Sequence, residues 1–317
     1  MMTTPARALI PLLLSAAFIG SAAFAPPAHA EKYASIVIDA DSDTVLHARH
    51  ADAPRYPASL TKVMTLYMLF DELDAGRITA TTMMTTSANA AAQPPSELRL
   101  RPGDRIAVHD AIQALIAKSA NDVAVVVAEH IGGTEARFAA LMTEKARSLG
   151  MADTLFRNAS GLPNSRQVST ARDMARLAES ILDRHGAYYH YFSTRTFRWN
   201  GRTYRNHNEL LGSVDGVDGL KTGYTRASGY NLIATASRGD RRVITVMLGG
   251  RTSRARNAHV AELIEAAYSS FSAPEAGGEA LRTQIAFESV RQPIDPNAAA
   301  MPVLNGVVYQ VSEGDGG

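Results

Sequence analysis

The sequence predicts an α/β fold: an antiparallel sheet formed by the N- and C-terminal segments and flanked by helices, with an all-helical subdomain inserted between them. Three observations predict it. Period-two alternation occurs near the N-terminus (33–47) and again from 195 to 248. Helix-period segments fill most of the interval between these regions. One helix, beginning at Ser59, is apolar on nearly every side and must therefore be buried between layers.

Residues 1–30 read as a secretory signal. Arg7 supplies the positive start, Ala8–Gly20 the apolar run, and Ala28-His29-Ala30 a cleavage site that leaves Glu31 as the first mature residue. Ala23-Phe24-Ala25 is a second such site. The apolar run falls short of the ~18 residues expected of a membrane span. Residues 31–271 form the folded domain. Tyr33–Ile38 and Thr44–His47, joined by a polar turn, predict a hairpin. Pro57 fits a first helical turn and disfavours helix at Tyr56, so a helix is expected from Ser59 to about Asp74. Residues 77–107 hold short mixed segments with turns at Pro94-Pro95 and Pro102-Gly103-Asp104.

The helical block follows. Asp110–Lys118 breaks at Ser119-Ala120-Asn121, and Asp122–His130 is closed by Gly132-Gly133. Thr134 caps a helix ending at Gly150, and Ser169 or Thr170 caps another ending at Gly186. Arg195–Asn206 reads as a hairpin about Asn200-Gly201. Leu220–Tyr224, Tyr230–Ser237 and Arg241–Leu248 are strands, and Ala255–Phe271 is a closing amphipathic helix. The tail, 272–317, is rich in Ala, Gly, Pro and Glu and too short for a core of its own, so partial disorder is expected. It has no basic amphipathic helix, which makes it a poor membrane anchor.

Composition excludes several classes. Without Arg7 the chain has 31 basic and 31 acidic residues, so nothing favours a nucleic-acid or anionic-membrane partner. No cysteine means no disulfide and no thiolate catalysis. No metal-ligand spacing is present around His185, His190 or His207, which read as structural or surface residues, and no cofactor motif occurs. Met64, Met68, Met83 and Met84 read as core filler. Only five lysines stand against 27 arginines. Arginine serves wherever a fixed positive charge suffices; a lysine can also give up its proton when desolvated.

Two of the five lysines, Lys62 and Lys221, fall in motifs. Ser59 and Lys62 are three residues apart and share a helix face. Alone, Ser-x-x-Lys arises by chance roughly once in a chain of this length. It is followed by Ser119-Ala120-Asn121 on a helix break and by Lys221-Thr222-Gly223 on a strand. The set reads as acyl transfer to serine. A hydroxyl is a weak nucleophile and needs an adjacent base. Lys62 can be that base if burial and the Lys221 charge lower its pKa. Ser119 can relay the proton to a leaving nitrogen, and Asn121 can hold a substrate amide or Lys62. On a strand, Lys221 and Thr222 point to opposite faces and would serve different edges of the cleft, while Gly223 lets a substrate backbone lie close. Backbone N–H groups of Ser59 and of a residue just past Gly223 would form an oxyanion hole.

On these motifs, and on PASLTKVMTLYMLF, KSANDVAVVVAEHIGG and VDGLKTGYTRASGYNLIATA, the stretch from Tyr33 to Phe271 resembles the low-molecular-mass penicillin-binding proteins, the serine-type D-alanyl-D-alanine carboxypeptidases. The resemblance implies a β-lactamase/transpeptidase-like fold. It makes Ser59 the acylated nucleophile, Lys62 its base, and Ser119 and Asn121 the second motif. Lys221 and Thr222 would hold the substrate's terminal carboxylate, the Tyr224 N–H would complete the oxyanion hole, and Arg256 would assist carboxylate binding. The expected substrates are peptidoglycan stem peptides ending in D-Ala-D-Ala, the expected inhibitors β-lactams, and the expected location the periplasm or the outer side of the cytoplasmic membrane. Ala120 stands where glycine is common in the family, and the tail is too short for an added C-terminal domain plus anchor, so the sequence leaves membrane association open. Three alternatives compete: a D,D-endopeptidase cleaving cross-links, a non-catalytic peptidoglycan- or β-lactam-binding module, and a class A β-lactamase. The last uses a deacylating carboxylate, and residues 151–168 contain Asp153 but no glutamate.

Overall fold

The structure, a computed structural model, describes residues 32–272. The expected signal segment 1–30 and the tail beyond residue 272 lie outside the described residues. In chain order the elements are β1 (Ala34–Asp39), β2 (Thr44–Arg49), α1 (Thr61–Asp74), β3 (Met83–Thr85), α2 (Ala88–Ala91), β4 (Arg105–Ala107), α3 (Val108–Gln113), α4 (Asn121–Gly132), α5 (Glu135–Ser148), α6 (Ala171–His185), β5 (Thr196–Trp199), β6 (Arg202–Arg205), β7 (Val217–Thr225), β8 (Gly229–Arg238), β9 (Arg241–Gly250) and α7 (Ser253–Ser272).

Five strands form one antiparallel sheet in the order β2-β1-β9-β8-β7, so the N-terminal hairpin pairs with the C-terminal meander through β1 and β9. Period two decides the faces. Val37, Leu232, Ala234, Ala236, Val243 and Met247 pack under Val260 and Ile264 of α7. Ile36, Ile38, Ile233, Ile244, Val246 and Leu248 face the opposite way, into the core of the helical lobe. Every residue of β1 is buried because helices cover both faces of the sheet. The apolar helix α1 lies at the centre of that lobe, against α4, α5 and α6.

Local chemistry sets the boundaries. The Thr134 and Thr170 side chains accept the Arg137 and Asp173 N–H groups and so start α5 and α6. Asn200 and Gly201 both have positive φ, the type I′ geometry of a two-residue hairpin. Two expectations change. Ser59 does not open an α-helix: it sits in a separate 3₁₀ turn, Ala58–Leu60, because Ala58 is left-handed (φ +50°), and α1 begins at Thr61. Met83 is not core filler: β3 alternates, turning Met83 to solvent (40% exposed) and Met84 inward.

Candidate active site

Ser59 is held on a strained turn. An L-residue in the left-handed region costs about 1 kcal/mol, so the Ala58 conformation has to be imposed by its neighbours. Asn231 on β8 donates from Nδ2 to the carbonyls of Tyr56 (3.0 Å) and Pro57 (3.1 Å). Gly223 on β7 lies so close that a Cβ there would meet Pro57 O and Ser59 N at 3.0 Å. Gly161 (φ +83°) packs on the Ala58 carbonyl from the other side, where any Cβ would overlap that oxygen. Gly223 is thus needed first for packing against the Ser59 turn.

Lys62 is wholly buried one turn away. Its Nζ donates to Asn121 Oδ1 (2.7 Å) and to the Ser160 carbonyl (2.5 Å), and lies 3.3 Å from Ser59 Oγ. The Asn121 amide orientation is fixed because its Nδ2 donates to Pro94 O (2.8 Å). The Ser160 carbonyl belongs to a loop, 151–170, tied down on several sides. Thr65 on α1 donates to Ala159 O, Gln167 Oε1 accepts from the Arg157 and Asn158 N–H groups, and Arg55 pairs with Ser169. Burial, and then the neighbouring Lys221 charge, hold the Lys62 pKa well below its usual value; Asp122 and Glu135 oppose this weakly.

These groups face a cavity of about 620 Å³ lined by Ser59, Ser119, Asn121, Thr222, Tyr224 and Arg256, among others. Ser119 follows a π-helical turn (Ala114–Lys118) and is itself left-handed; its Oγ has no hydrogen-bond partner among the described residues. Turns of this kind recur at functional sites. Thr222 lines the cavity, whereas Lys221, expected at another edge of the cleft, lies beneath it. Lys221 is 1% exposed, its Nζ donates to the Thr222 carbonyl (3.0 Å), and burial followed by the Arg256 charge pushes its pKa down to about 7. Arg256, which as a helix-start residue could have been a plain surface charge, is 3% exposed. It donates to Asn231 O and Asn257 Oδ1, and burial lowers its pKa only to about 10, so it stays charged at neutral pH. Charge pressure thus passes from Arg256 to Lys221 to Lys62.

The arrangement brings all nine expected residues to one region and adds others. Asn231, Gly161 and the Ser160 carbonyl act through backbone contacts that no local pattern announces. Asn158, read as a bare glycosylation match, accepts the Gly161 N–H and shapes the loop. His207, read as structural or surface, lines the cavity. Glu135 of α5 reaches loop 151–170, but its carboxylate accepts the Ala159 N–H and does not line the cavity. Among the described residues no group of three potential metal ligands occurs.

Comparison with known proteins shows the family of the chain. A family profile described as D-alanyl-D-alanine carboxypeptidase matches residues 21–252. The chain is 36% identical over 269 residues to D-alanyl-D-alanine carboxypeptidase DacD of Salmonella typhimurium, covering 82% of this chain and 69% of that protein. It is 38% identical over 228 residues to DacC of Escherichia coli, covering 70% and 57%. The chain therefore spans between about half and two thirds of the length of such relatives. Among solved structures, DacD of Francisella tularensis superposes with a TM-score of 0.73 at 30% identity, covering 74% of this chain and 70% of that one. Penicillin-binding protein D2 of Listeria monocytogenes, in an ampicillin-bound form, superposes with a TM-score of 0.65 at 30% identity, covering 74% and 96%. The chain belongs to the D-alanyl-D-alanine carboxypeptidase family.

Proposed function

We propose that the protein is an exported serine D,D-carboxypeptidase that removes the terminal D-Ala from peptidoglycan stem peptides, with residues 31–271 as its catalytic domain. The observation that carries this reading is the bonding of Lys62. A neutral amine has two N–H bonds and one lone pair. The Ser160 carbonyl and Asn121 Oδ1 can only accept, so they take both N–H bonds. The lone pair is left for the Ser59 hydroxyl, 3.3 Å away. Burial and the Lys221 charge push the Lys62 pKa well below its usual value, the direction that favours this neutral form.

Ser59 Oγ attacks the penultimate D-Ala carbonyl while its proton moves to Lys62 Nζ. The tetrahedral intermediate collapses as Ser119 Oγ passes that proton to the departing D-Ala nitrogen, leaving an ester on Ser59. Water then attacks the ester and gives a proton to the same base, which returns it to Ser59 Oγ as the ester C–O bond breaks and the shortened peptide leaves. Thr222, Lys221 and Arg256 supply the positive field for the terminal carboxylate, and the Ser59 and Tyr224 N–H groups supply the oxyanion site. β-Lactams would acylate the same serine; the ampicillin-bound relative supports this. Slow deacylation follows from the absence of a glutamate in residues 151–168 and from the two nearby glutamates being engaged elsewhere, Glu135 with the Ala159 N–H and the cavity-lining Glu209 with Asn257 Nδ2. Export rests on the signal-like first thirty residues. No helix of the described residues is long and apolar enough to cross a membrane.

The test is release of D-Ala from diacetyl-Lys-D-Ala-D-Ala, with fluorescent penicillin labelling in parallel. The expected result is release and labelling that Ser59→Ala abolishes. Labelling without release from this tripeptide, but with cleavage of cross-linked muropeptides, would move the activity to an endopeptidase. Labelling with neither would leave a binding module.

A further inference from the structure

A second cavity of about 580 Å³ adjoins the first and shares Gly161, Leu162 and Thr225 with it. It lies between loop 161–167 and residues 225–227, where β7 ends. Its walls are apolar at Tyr56, Pro57, Leu162 and Pro163. Its only charged lining residues are Arg166 and Arg226, and no carboxylate lines it. Both arginines are exposed, and neither forms an ion pair with an acid among the described residues. Lys32 adds a third cation at the same rim, where its Nζ donates to the Arg226 carbonyl (2.9 Å). In a chain whose basic and acidic residues balance, an apolar cavity edged by cations alone is a feature with a ligand preference.

Its position along the strand says which part of a peptide would reach it. The terminal carboxylate belongs at Thr222 and Arg256, and the scissile carbonyl at Ser59. A peptide running antiparallel to β7 passes Tyr224 and reaches Thr225 about 10 Å upstream, at about 3.3 Å per strand residue. That places the side chain of the third residue from its end in the second cavity. We propose that this cavity is the subsite for that residue, and that Arg166 and Arg226 select a side chain ending in a free carboxylate over one ending in an amine or amide. The assignment rests on the carboxypeptidase reading above. The apolar walls accommodate the methylenes of a long side chain, and the rim arginines meet its charged end, repelling a lysine ammonium at the same place.

The probes are three tripeptides ending in D-Ala-D-Ala. The first residue is Nα-acetyl-meso-diaminopimelic acid, the same residue with its side-chain carboxylate amidated, or Nα-acetyl-lysine with its ammonium free. The quantity read is the ratio of kcat/KM for acid over amide in each protein. In the parent chain the ratio should be about five or more, carried by KM and shrinking with added salt, since exposed pairs are modest and screened. Arg166→Glu with Arg226→Glu should bring the ratio to one or below, and the Arg166→Lys, Arg226→Lys pair should keep it above one. Because each ratio is internal to one protein, a general loss of stability does not mimic the effect. A ratio of one in the parent chain, or a ratio unchanged by charge reversal, overturns the proposal while leaving the peptidase standing. Failure of all three tripeptides to release D-Ala overturns both.

Discussion

Lys62 is a group whose chemistry depends on giving up its proton, and the environment lowers its pKa through two causes. Burial acts first, and Lys221, itself pushed down to about 7 by burial and Arg256, acts second. Serine acylation needs the free amine, so the rate should rise with pH through a midpoint well below the usual lysine value. On the alkaline side, loss of the Lys221 proton weakens carboxylate binding and raises KM, giving a bell in kcat/KM. Replacing Lys221 with Gln removes the like charge, so the acid limb of penicillin acylation, measured at saturating drug, should move toward higher pH. An unmoved limb would mean that burial alone sets the Lys62 pKa. Lys62→Arg keeps the charge but cannot surrender the proton, and acylation should fall by about 10³-fold or more. The scarcity of lysine made Lys62 and Lys221 legible in the sequence. The acceptors that hold Lys62 were not: Asn121 and the Ser160 carbonyl lie 59 and 98 residues away, and a carbonyl has no sequence signature.

At the level of elements, the Ser59 turn is over-determined by two glycines that lack a side chain for different reasons. Gly161 needs both a positive φ and an empty Cβ position against the Ala58 carbonyl. Gly161→Ala should therefore destabilise the protein by about 2–4 kcal/mol and slow penicillin acylation by about 10²-fold through misplacement of Ser59. Gly150→Ala is the matched control. It has a similar φ (+76°) but open space around it, so it should cost about 1 kcal/mol and leave acylation unchanged. Urea unfolding and acylation rates, measured on both variants at a temperature where each is folded, check the pair; equal effects would deny the turn its role. The strands, the caps at Thr134 and Thr170 and the Asn200-Gly201 hairpin were legible because period, side-chain caps and turn chemistry are local. The 3₁₀ turn at Ala58–Leu60 was not, since alanine gives no hint of a left-handed conformation imposed by Asn231, Gly161 and Gly223.

Over the whole molecule, the sheet separates a core that supports α7 from a core that encloses the site, with Lys62 of α1 and Lys221, opposite Ile233 of β8, on the side of the second. Ile264, buried between α7 and the sheet, tests that separation: Ile264→Ala should cost about 2–4 kcal/mol with acylation per folded molecule unchanged. Burying Lys62 and Lys221 has the opposite character, because function there is held against stability. A lysine whose folded pKa is depressed binds fewer protons folded than unfolded between the two values, so stability rises with pH across that window. For Lys221 the window runs from about 7 to the usual 10.5, and Lys62 adds in the same direction. Other shifted groups act at its edges or outside it. Asp173 and Glu179, pushed up by burial to about 6 and about 7, lose their stabilising contribution as pH rises to those values. His47, lowered by burial, has finished titrating by its unfolded value near 6.5, and Arg256, lowered by burial to about 10, adds stability only as pH rises past that value. The raised tyrosines, Tyr189 among them, weaken the fold only near pH 10 and above, where unfolded tyrosine ionises. Between pH 7.5 and 9.5 the lysines dominate, and Lys221 alone should raise the unfolding free energy by about 2 kcal/mol, from a limiting slope of ~1.4 kcal/mol per pH unit. Lys221→Met should be more stable than the parent at pH 7.5, with a shallower rise, and the Lys62→Met, Lys221→Met pair should be flat. Reversible urea titrations at half-unit pH steps measure this directly. A parent profile that is flat or falling over that range would show that both lysines hold their protons in the folded protein, and would remove the neutral base on which the mechanism depends.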